Sequence, residues 1–402
     1  MRITGKKIAI AALGASAAAL LVWILSPSPF VHADGTELRR GWRGFEVRGA
    51  ALMDDSTLWD AAATAPDPLG ISERDVAFSA VGDTNSVRLA LKTDYFIDED
   101  GKPREAGFDF LNRVISHAER FGLLVLIDIH IPAGGGVQDY RESQAAKEFW
   151  ASPALKDRFV EGWKEIASRY RNDRRILGYE LMNEPAGDPD AYWELMGRTV
   201  HEIRSVDRRH LIVIHPASDW SLRKIRDRNI AYAVHLYTPL SFTHQNVPWD
   251  KRYSSMRRVI YPGVAFDKPG HITFCDRDTL AAALKKPIAD SRSMKAPLIL
   301  GEFGVSTAAD EDSTAMWIAD AIEIEREMGL AGYLYWRQVD KGKKNLSKPR
   351  NATMAVINAD GSYFSPAQFF GIRPEFAREN PGFDAKSFYL NYVPFSPDKP
   401  IP

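Results

Sequence analysis

Eight short apolar runs, separated by longer segments, dominate the pattern of this sequence. They lie at residues 45–48, 86–90, 123–129, 176–182, 211–214, 231–236, 298–300 and 332–335. Near-continuous apolar runs are typical of strands that are buried on both faces, as in parallel sheets. Several of the segments between them have one apolar face at helical spacing, for example residues 155–170 and 317–328. This alternation predicts an α/β fold, namely a (β/α)8 TIM barrel that forms a single domain.

The N-terminal residues predict a targeting segment. One arginine and two lysines within the first seven residues precede an apolar run at residues 8–25, and small residues lead up to Ala33. This is the pattern of a secretory signal peptide, although the run is nearly long enough to span a bilayer. We therefore expect residues 1–33 to be a cleaved signal peptide or a retained membrane anchor. Residues 34–402 would then form the (β/α)8 domain, which would be secreted or periplasmic.

Composition excludes several classes of protein. The chain has 52 Lys and Arg against 53 Asp and Glu, a net charge of −1, so a nucleic-acid partner is not expected. The single cysteine, Cys275, cannot form an intrachain disulfide or a cysteine metal site. The histidines show no paired spacing of metal ligands. We expect no metal, no cofactor and a monomeric chain.

Polar side chains occur selectively where the predicted strands end, which is where a (β/α)8 barrel builds its active site. Glu184 follows the fourth run and Glu302 follows the seventh, so the two carboxylates would face each other across the barrel mouth. Hydrolysis of a glycosidic bond needs such a pair. The other polar or aromatic residues at strand ends are Arg88, Asp128, His130, Asn183, His215, His235, Tyr237 and Trp336.

Short motifs around these residues resemble one enzyme family. Residues 181–185, Leu-Met-Asn-Glu-Pro, resemble the acid/base motif of the clan of retaining (β/α)8 glycosidases. Residues 300–305, Leu-Gly-Glu-Phe-Gly-Val, resemble the nucleophile strand of glycoside hydrolase family 5, the cellulase family. The resemblance covers residues 42–340. Further segments that match the family in the same order are 85–88, 126–130, 234–237 and 332–336.

The resemblance implies roles for the residues at the mouth. Glu184 would be the acid/base and Glu302 the nucleophile of a retaining mechanism. Arg88 would steady Glu302 and favour its ionised form, and Tyr237 would orient it through a hydrogen bond. Asn183 is suited to bind the sugar 2-hydroxyl.

The remaining candidates have two interpretations each. His130 and His235 would position sugar hydroxyls or the acid/base, or they are structural histidines. Trp336 would form the floor of the subsite at the cleavage point, or it packs in the core. For His215 both a site role and a structural role stay open.

A long segment follows the sixth run and ends near residue 295. Loops of this length in compact domains are usually functional. Residues 241–245 followed by Trp249 resemble bacterial endoglucanases of the family, which favours β-glucan as the substrate. Trp249 and Trp220 are candidate sugar platforms, with packing as the alternative. The chain after the eighth run is expected to be coil, with a hairpin near Asp360 and Gly361 as the alternative.

These observations predict a retaining glycoside hydrolase that cleaves β-linked glucan, as an endo-β-1,4-glucanase. The same chemistry on β-mannan, β-1,3-glucan or a bacterial exopolysaccharide is the first alternative, because one fold hosts many specificities. A non-catalytic carbohydrate-binding barrel is the second, and the presence of both Glu184 and Glu302 argues against it.

Overall fold

The computed structural model describes residues 28–134, 143–268, 271–341 and 352–392. The strands of these residues, in chain order, are β1 Val31–Asp34, β2 Glu37–Arg40, β3 Arg43–Gly44, β4 Val47–Met53, β5 Ser86–Lys92, β6 Leu124–Ile131, β7 Ile176–Glu180, β8 Leu211–Ile214, β9 Ile230–Leu236, β10 Gly263–Lys268, β11 His271–Cys275, β12 Leu298–Phe303, β13 Gly332–Tyr335, β14 Val339–Asp340 and β15 Ile357–Asn358. The helices are α1 Glu73–Ser79, α2 Glu105–Arg120, α3 Gln144–Ala151, α4 Pro153–Tyr170, α5 Pro189–Val206, α6 Leu240–Thr243, α7 Arg277–Met294, α8 Glu311–Glu327, α9 Pro366–Gly371, α10 Pro374–Glu379 and α11 Ala385–Leu390.

Eight parallel strands close into a barrel, in the order β12-β13-β4-β5-β6-β7-β8-β9. The predicted (β/α)8 fold is therefore confirmed. The first strand was predicted at residues 45–48 but lies at Val47–Met53. Its small residues hide the strand signal, and one of them is required by close packing. A Cβ on Gly49 would lie 2.0 Å from the carbonyl oxygen of Ser86 on β5.

The helices around the barrel follow from amphipathic sequence and from caps. In α4, Phe159, Trp163 and Ile166 are buried, as the periodicity predicted. Ser152 caps this helix by accepting a hydrogen bond from the backbone N–H of Leu155 at 3.3 Å. The apolar faces of the helices and the outward side chains of the strands together form the largest hydrophobic core.

A small antiparallel sheet, β1-β2-β3, covers the N-terminal end of the barrel. Val31 and Leu38 are buried against apolar side chains that fill the barrel interior at that end. The backbone N–H of Ala33 donates to Asn229 Oδ1 at 2.9 Å. The predicted cleavage point after Ala33 therefore falls inside a paired strand.

The predicted targeting segment lies mostly outside the described residues, and this includes the apolar run at residues 8–25. In the part of the chain that the structure does describe, no helix has the length and hydropathy to cross a bilayer.

The long segment after β9 is not one loop. It forms α6, the β10–β11 hairpin and α7, and α7 is the barrel helix that precedes β12. Asp276 caps α7 by accepting from the backbone N–H of Thr279 at 3.1 Å. Pro287 lies inside this helix, which explains why its pattern was not recognised as helical.

The C-terminal tail contains helices and is not coil, so this expectation was wrong, whereas the hairpin expected near residues 360–361 is present between the bridged residues Ile357 and Phe364. The tail forms α9, α10 and α11, which are too short to show a helical period in the sequence. Arg373 is fully buried and donates to the carbonyl oxygen of Val81 at 2.8 Å. Tyr389 donates to Asp75 Oδ1 on α1 at 2.7 Å. The tail is therefore part of the folded domain.

Candidate active site

Glu184 and Glu302 meet at the C-terminal mouth of the barrel. Glu302 lies in β12, and Glu184 follows β7. One carboxylate oxygen of Glu184 lies within 4.8 Å of one carboxylate oxygen of Glu302. The Glu184 side chain is 29% exposed and that of Glu302 is 5% exposed. The structure thus brings together the two carboxylates that the sequence singled out.

Glu184 lies in an uncommon backbone conformation beside a buried histidine. Its φ is +35°, a region that costs energy for most residues other than glycine, and residues held in such strained conformations cluster at active sites. Its Oε1 lies 2.6 Å from Nδ1 of His235. Burial lowers the pKa of His235 well below its usual value, so this imidazole is neutral at ordinary pH. A neutral ring adds no positive charge that would keep Glu184 ionised.

Glu302 is surrounded by hydrogen-bond donors. Arg88 Nη1 contacts its Oε1, and the hydroxyl of Tyr237 donates to Oε2 at 2.9 Å. Burial, reinforced by the charge of Glu302, raises the pKa of Tyr237 well above its usual value, so the phenol keeps its proton. His235 Nδ1 lies 3.4 Å from the same Oε2. Both oxygens of Glu302 are thus held in place.

The remaining donors of Arg88 point to groups beneath the mouth. Its Nε and Nη2 donate to the two oxygens of Glu180 at 2.7 and 2.8 Å. Nη2 also donates to Asn183 Oδ1 at 2.8 Å and lies 3.0 Å from Asp128 Oδ2. Arg88, Glu180 and Asp128 are each fully buried.

An aromatic group lies on one side of the mouth. The rings of His130 and Trp336 stack at 5.1 Å with an interplanar angle of 6°. Trp59 meets His130 edge-on at 5.5 Å and is 48% exposed. His130 is held by Asp128 at 2.9 Å and by Asn183 Nδ2 at 3.3 Å. The structure therefore joins His130 and Trp336 to the carboxylate pair and adds Trp59.

The other sequence candidates lie at different depths. His215 Nε2 contacts Glu180 Oε1, and its ring meets that of His235 edge-on at 4.6 Å. His215 is thus buried below the mouth. Trp249 and Trp220 lie in segments after α6 and β8 and are 40% and 54% exposed. Their role as sugar platforms stays a prediction.

Two residues were missed in the sequence. Trp59 was overlooked because the first strand was placed too early, so that residues 54–70 were not recognised as a loop at the mouth. Glu180 was overlooked because it lies inside an apolar run and four residues before Glu184. Only its reach to Arg88 reveals it.

Two groups of side chains have atoms close enough to hold a cation: Glu180, His215 and His235, and Glu184, His235 and Glu302. In both groups a carboxylate already contacts the guanidinium of Arg88. A divalent cation would be repelled by that charge, so the arrangement suits ion pairing better than metal binding.

A closed (β/α)8 barrel with two facing carboxylates at its C-terminal mouth has the architecture of a glycoside hydrolase. The chain belongs to glycoside hydrolase family 5: the family model described as cellulase (glycosyl hydrolase family 5) matches residues 41–342. This confirms the resemblance that the motifs indicated, and the protein is a glycoside hydrolase.

The proteins that are similar to this chain include enzymes named as endoglucanase and as mannosidase. Endoglucanase C of Acetivibrio thermocellus is 28% identical over 291 residues, which are 66% of this chain and 83% of that protein. Mannan endo-1,4-beta-mannosidase 3 of Arabidopsis thaliana is 25% identical over 285 residues, 62% of this chain and 67% of that protein. Thermotoga maritima Cel5A, solved in complex with cellobiose, shares the fold with a TM-score of 0.62 at 21% identity. The structural match covers 81% of this chain and 97% of the Cel5A chain.

Proposed function

We propose that this enzyme hydrolyses β-linked glucan, as an endo-β-1,4-glucanase, by a retaining double displacement. The observation that carries the proposal is the Glu184–Glu302 pair, with oxygens within 4.8 Å of each other. Retaining enzymes hold their carboxyl groups about 5–5.5 Å apart, whereas inverting enzymes leave room for a water at roughly 6.5–9.5 Å. The similarity to endoglucanase C supports the choice of glucan.

In the first step an oxygen of Glu302 attacks the anomeric carbon and forms a covalent glycosyl ester. The bond from that carbon to the leaving oxygen breaks, and Glu184 gives its proton to this oxygen. In the second step Glu184 takes a proton from water, and the resulting hydroxide equivalent displaces Glu302. The greater exposure of Glu184 fits its role in the second step, in which it takes a proton from the attacking water.

The neighbours of the pair suit these steps. Arg88 and Tyr237 orient the Glu302 carboxylate toward the cleft. Asn183 accepts from Arg88 through Oδ1, so its Nδ2 is the atom that can donate to a sugar 2-hydroxyl. The neutral His235 adjoins both carboxylates and can guide the proton of Glu184. Trp336, with Trp249 further out, would stack on sugar rings.

A substrate panel tests the proposal. Release of reducing ends is measured on soluble β-1,4-glucan, β-1,3-glucan and β-mannan, with Glu302→Gln as the inactive control. We expect the highest kcat/KM on β-1,4-glucan, with a rapid fall in viscosity that indicates internal cleavage. A preference for mannan would favour the alternative to which the mannosidase relative points. No hydrolysis of any of these glycans would reject the proposal.

We also propose that the enzyme acts outside the cytoplasm, secreted or periplasmic. The basic start and the apolar run at residues 8–25 support export, with the segment either removed or kept as an anchor. Because Val31 is buried and paired in β1, and the carbonyl oxygen of Ser28 accepts from the backbone N–H of Gly41 at 2.8 Å, we place any processing site before Ser28 rather than after Ala33.

A further inference from the structure

We propose that Glu180 is a positioning residue of the active site, which holds Arg88 in the orientation that presents Nη1 to Glu302. This inference rests on the proposed retaining hydrolysis and deepens it. Glu180 is fully buried and contacts Arg88 with both oxygens, at 2.7 and 2.8 Å. It therefore acts through the arginine and not on the sugar.

The first argument is geometric. A carboxylate that receives two parallel N–H bonds from a guanidinium fixes the plane of that group, because both planes must align. The two carboxylate oxygens of Glu180 accept from Nε and Nη2 of Arg88, and Asn183 Oδ1 also accepts from Nη2. Nη1 remains on the opposite edge and contacts Glu302 Oε1. Without the Glu180 carboxylate, a single amide oxygen and Asp128 would hold the far edge of Arg88.

The second argument concerns charge. Burial opposes ionisation of Glu180, but the charge of Arg88 and the hydrogen bond from His215 outweigh it and lower the pKa of Glu180. Burial raises the pKa of Asp128 well above its usual value, so Asp128 is the weaker counter-charge. Arg88 is thus already paired with a full negative charge beneath the mouth. Glu302 shares the guanidinium instead of neutralising it alone, and its attacking oxygen keeps more negative charge.

His215 completes the arrangement by holding Glu180. Its Nε2 contacts Glu180 Oε1, and its backbone carbonyl accepts from the Tyr192 hydroxyl at 2.9 Å. The titratable or charged groups that face this network include, from the strands and the segments after them, Arg88, Asp128, His130, Glu184, His235, Tyr237 and Glu302, and from helix α5 Tyr192.

Glu180→Gln tests the proposal, because it keeps the shape of the side chain and removes its charge. Arg88 would then pair with Glu302 and with the weaker counter-charge of Asp128. We expect kcat on β-1,4-glucan to fall roughly 10–100-fold, with KM nearly unchanged. This is the loss typical of metal sites when a residue that orients a metal-binding side chain is removed, and Glu180 orients Arg88 in the same way. The acid limb of the kcat/KM profile should move to lower pH, since one negative charge beside Glu302 is gone.

A double-mutant cycle separates positioning from stability. If Glu180 acts through Arg88, the kcat of Glu180→Gln/Arg88→Lys should match that of Arg88→Lys alone, whereas a purely structural effect would be additive. Asp207→Asn is the matched control, because Asp207 is a buried carboxylate that lies 2.6 Å from His210 Nδ1 and contacts neither Arg88 nor Glu302. It should lower Tm and leave the pH profile unchanged.

His215→Phe carries the same test should Glu180→Gln fail to fold. It keeps a ring against His235 and removes the hydrogen bond to Glu180, so we expect a smaller fall in kcat, with the acid limb in place because Glu180 keeps its charge. An unchanged kcat in the folded variants, an unmoved acid limb in Glu180→Gln, or additive losses in the cycle, would overturn the positioning role. A wild-type enzyme without activity on any glycan of the panel would instead overturn the proposed function.

Discussion

The side chains of Glu184 and Glu302 share one cleft but differ in exposure, at 29% and 5%. Glu302 is enclosed by Arg88 and Tyr237, which leave its oxygens with fixed directions. Glu184 has contact with water, as a group that takes up and releases protons requires. The difference in environment assigns a separate task to each of two chemically equal carboxyls.

Replacing either carboxylate should stop turnover for a different reason. Glu302→Gln removes the nucleophile, and we expect kcat to fall on the order of 10³-fold or more. Glu184→Ala removes the acid, so the loss should be of order 10²–10⁴-fold on glucan but much smaller in the first step for an aryl glycoside with a good leaving group. Circular dichroism checks folding. Near wild-type activity in either folded variant would contradict the assignment.

The spacing of the pair predicts the stereochemistry of the product. Two displacements at one carbon restore its configuration, so the first sugar released from a β-linked substrate should be the β anomer. Proton NMR of the early product, recorded before mutarotation, measures this directly. An initial α anomer would mean that a water and not Glu302 attacks the anomeric carbon.

Trp249 should affect long substrates more than short ones. Stacking on a distant sugar ring acts throughout the reaction, so its loss raises KM more than it lowers kcat. For Trp249→Ala we expect KM for long β-glucan chains to rise roughly 10-fold, equivalent to about 1.4 kcal/mol. A small aryl glycoside that fills only the sites beside Glu184 and Glu302 should be unaffected, and this substrate is the internal control. Equal loss on both substrates would identify Trp249 as a packing residue.

The N-terminal sheet predicts where the folded chain must begin. A variant that starts at Asp34 would lose Val31 and Phe30, both buried, together with most of the pairing between β1 and β2. We expect it to be less stable than a variant that starts at Ser28 by about 2–4 kcal/mol, from the lost apolar burial. Urea denaturation of the two variants measures the difference. N-terminal sequencing of exported protein that begins at Asp34, with equal stability, would contradict our placement of the processing site.

The buried carboxyl group of Glu325 should make the stability of the folded protein depend on pH. Burial raises its pKa from 4.5 to about 8. The folded state therefore holds this proton more tightly than the unfolded state, and the stabilisation is complete below about pH 4.5 and lost as the pH rises through about 8. Glu325→Gln should leave Tm unchanged near pH 4.5 and stabilise the protein by about 3–5 kcal/mol near pH 9, since a pKa unit corresponds to about 1.4 kcal/mol and no charge is then buried. Thermal melts from pH 4.5 to 9 check this, and a constant difference would refute it.

Much of this molecule could be read from the chain alone. Strands buried on both faces carry continuous apolar runs, which is why β8 and β13 were predicted at their observed bounds. Residues at strand ends in a barrel converge whatever their distance in sequence, so the sequence alone was enough to pair Glu184 with Glu302. The elements that local pattern specifies poorly were lost: β4 with its small residues, α7 with Pro287, and the short helices of the tail.

Tertiary structure alone decided the partners of the buried charges. Arg88 and Glu180 are 92 residues apart in sequence, so no local pattern indicates that they form a pair. An acidic residue inside an apolar run could equally have no function. The ion pair of Arg88 and Glu180 exists because β5 and β7, which flank β6 in the barrel, bring both side chains into one dry interior, where a buried charge needs an opposite charge beside it. Sequence periodicity determines which residues are buried, but only the closed barrel determines which buried residue meets which.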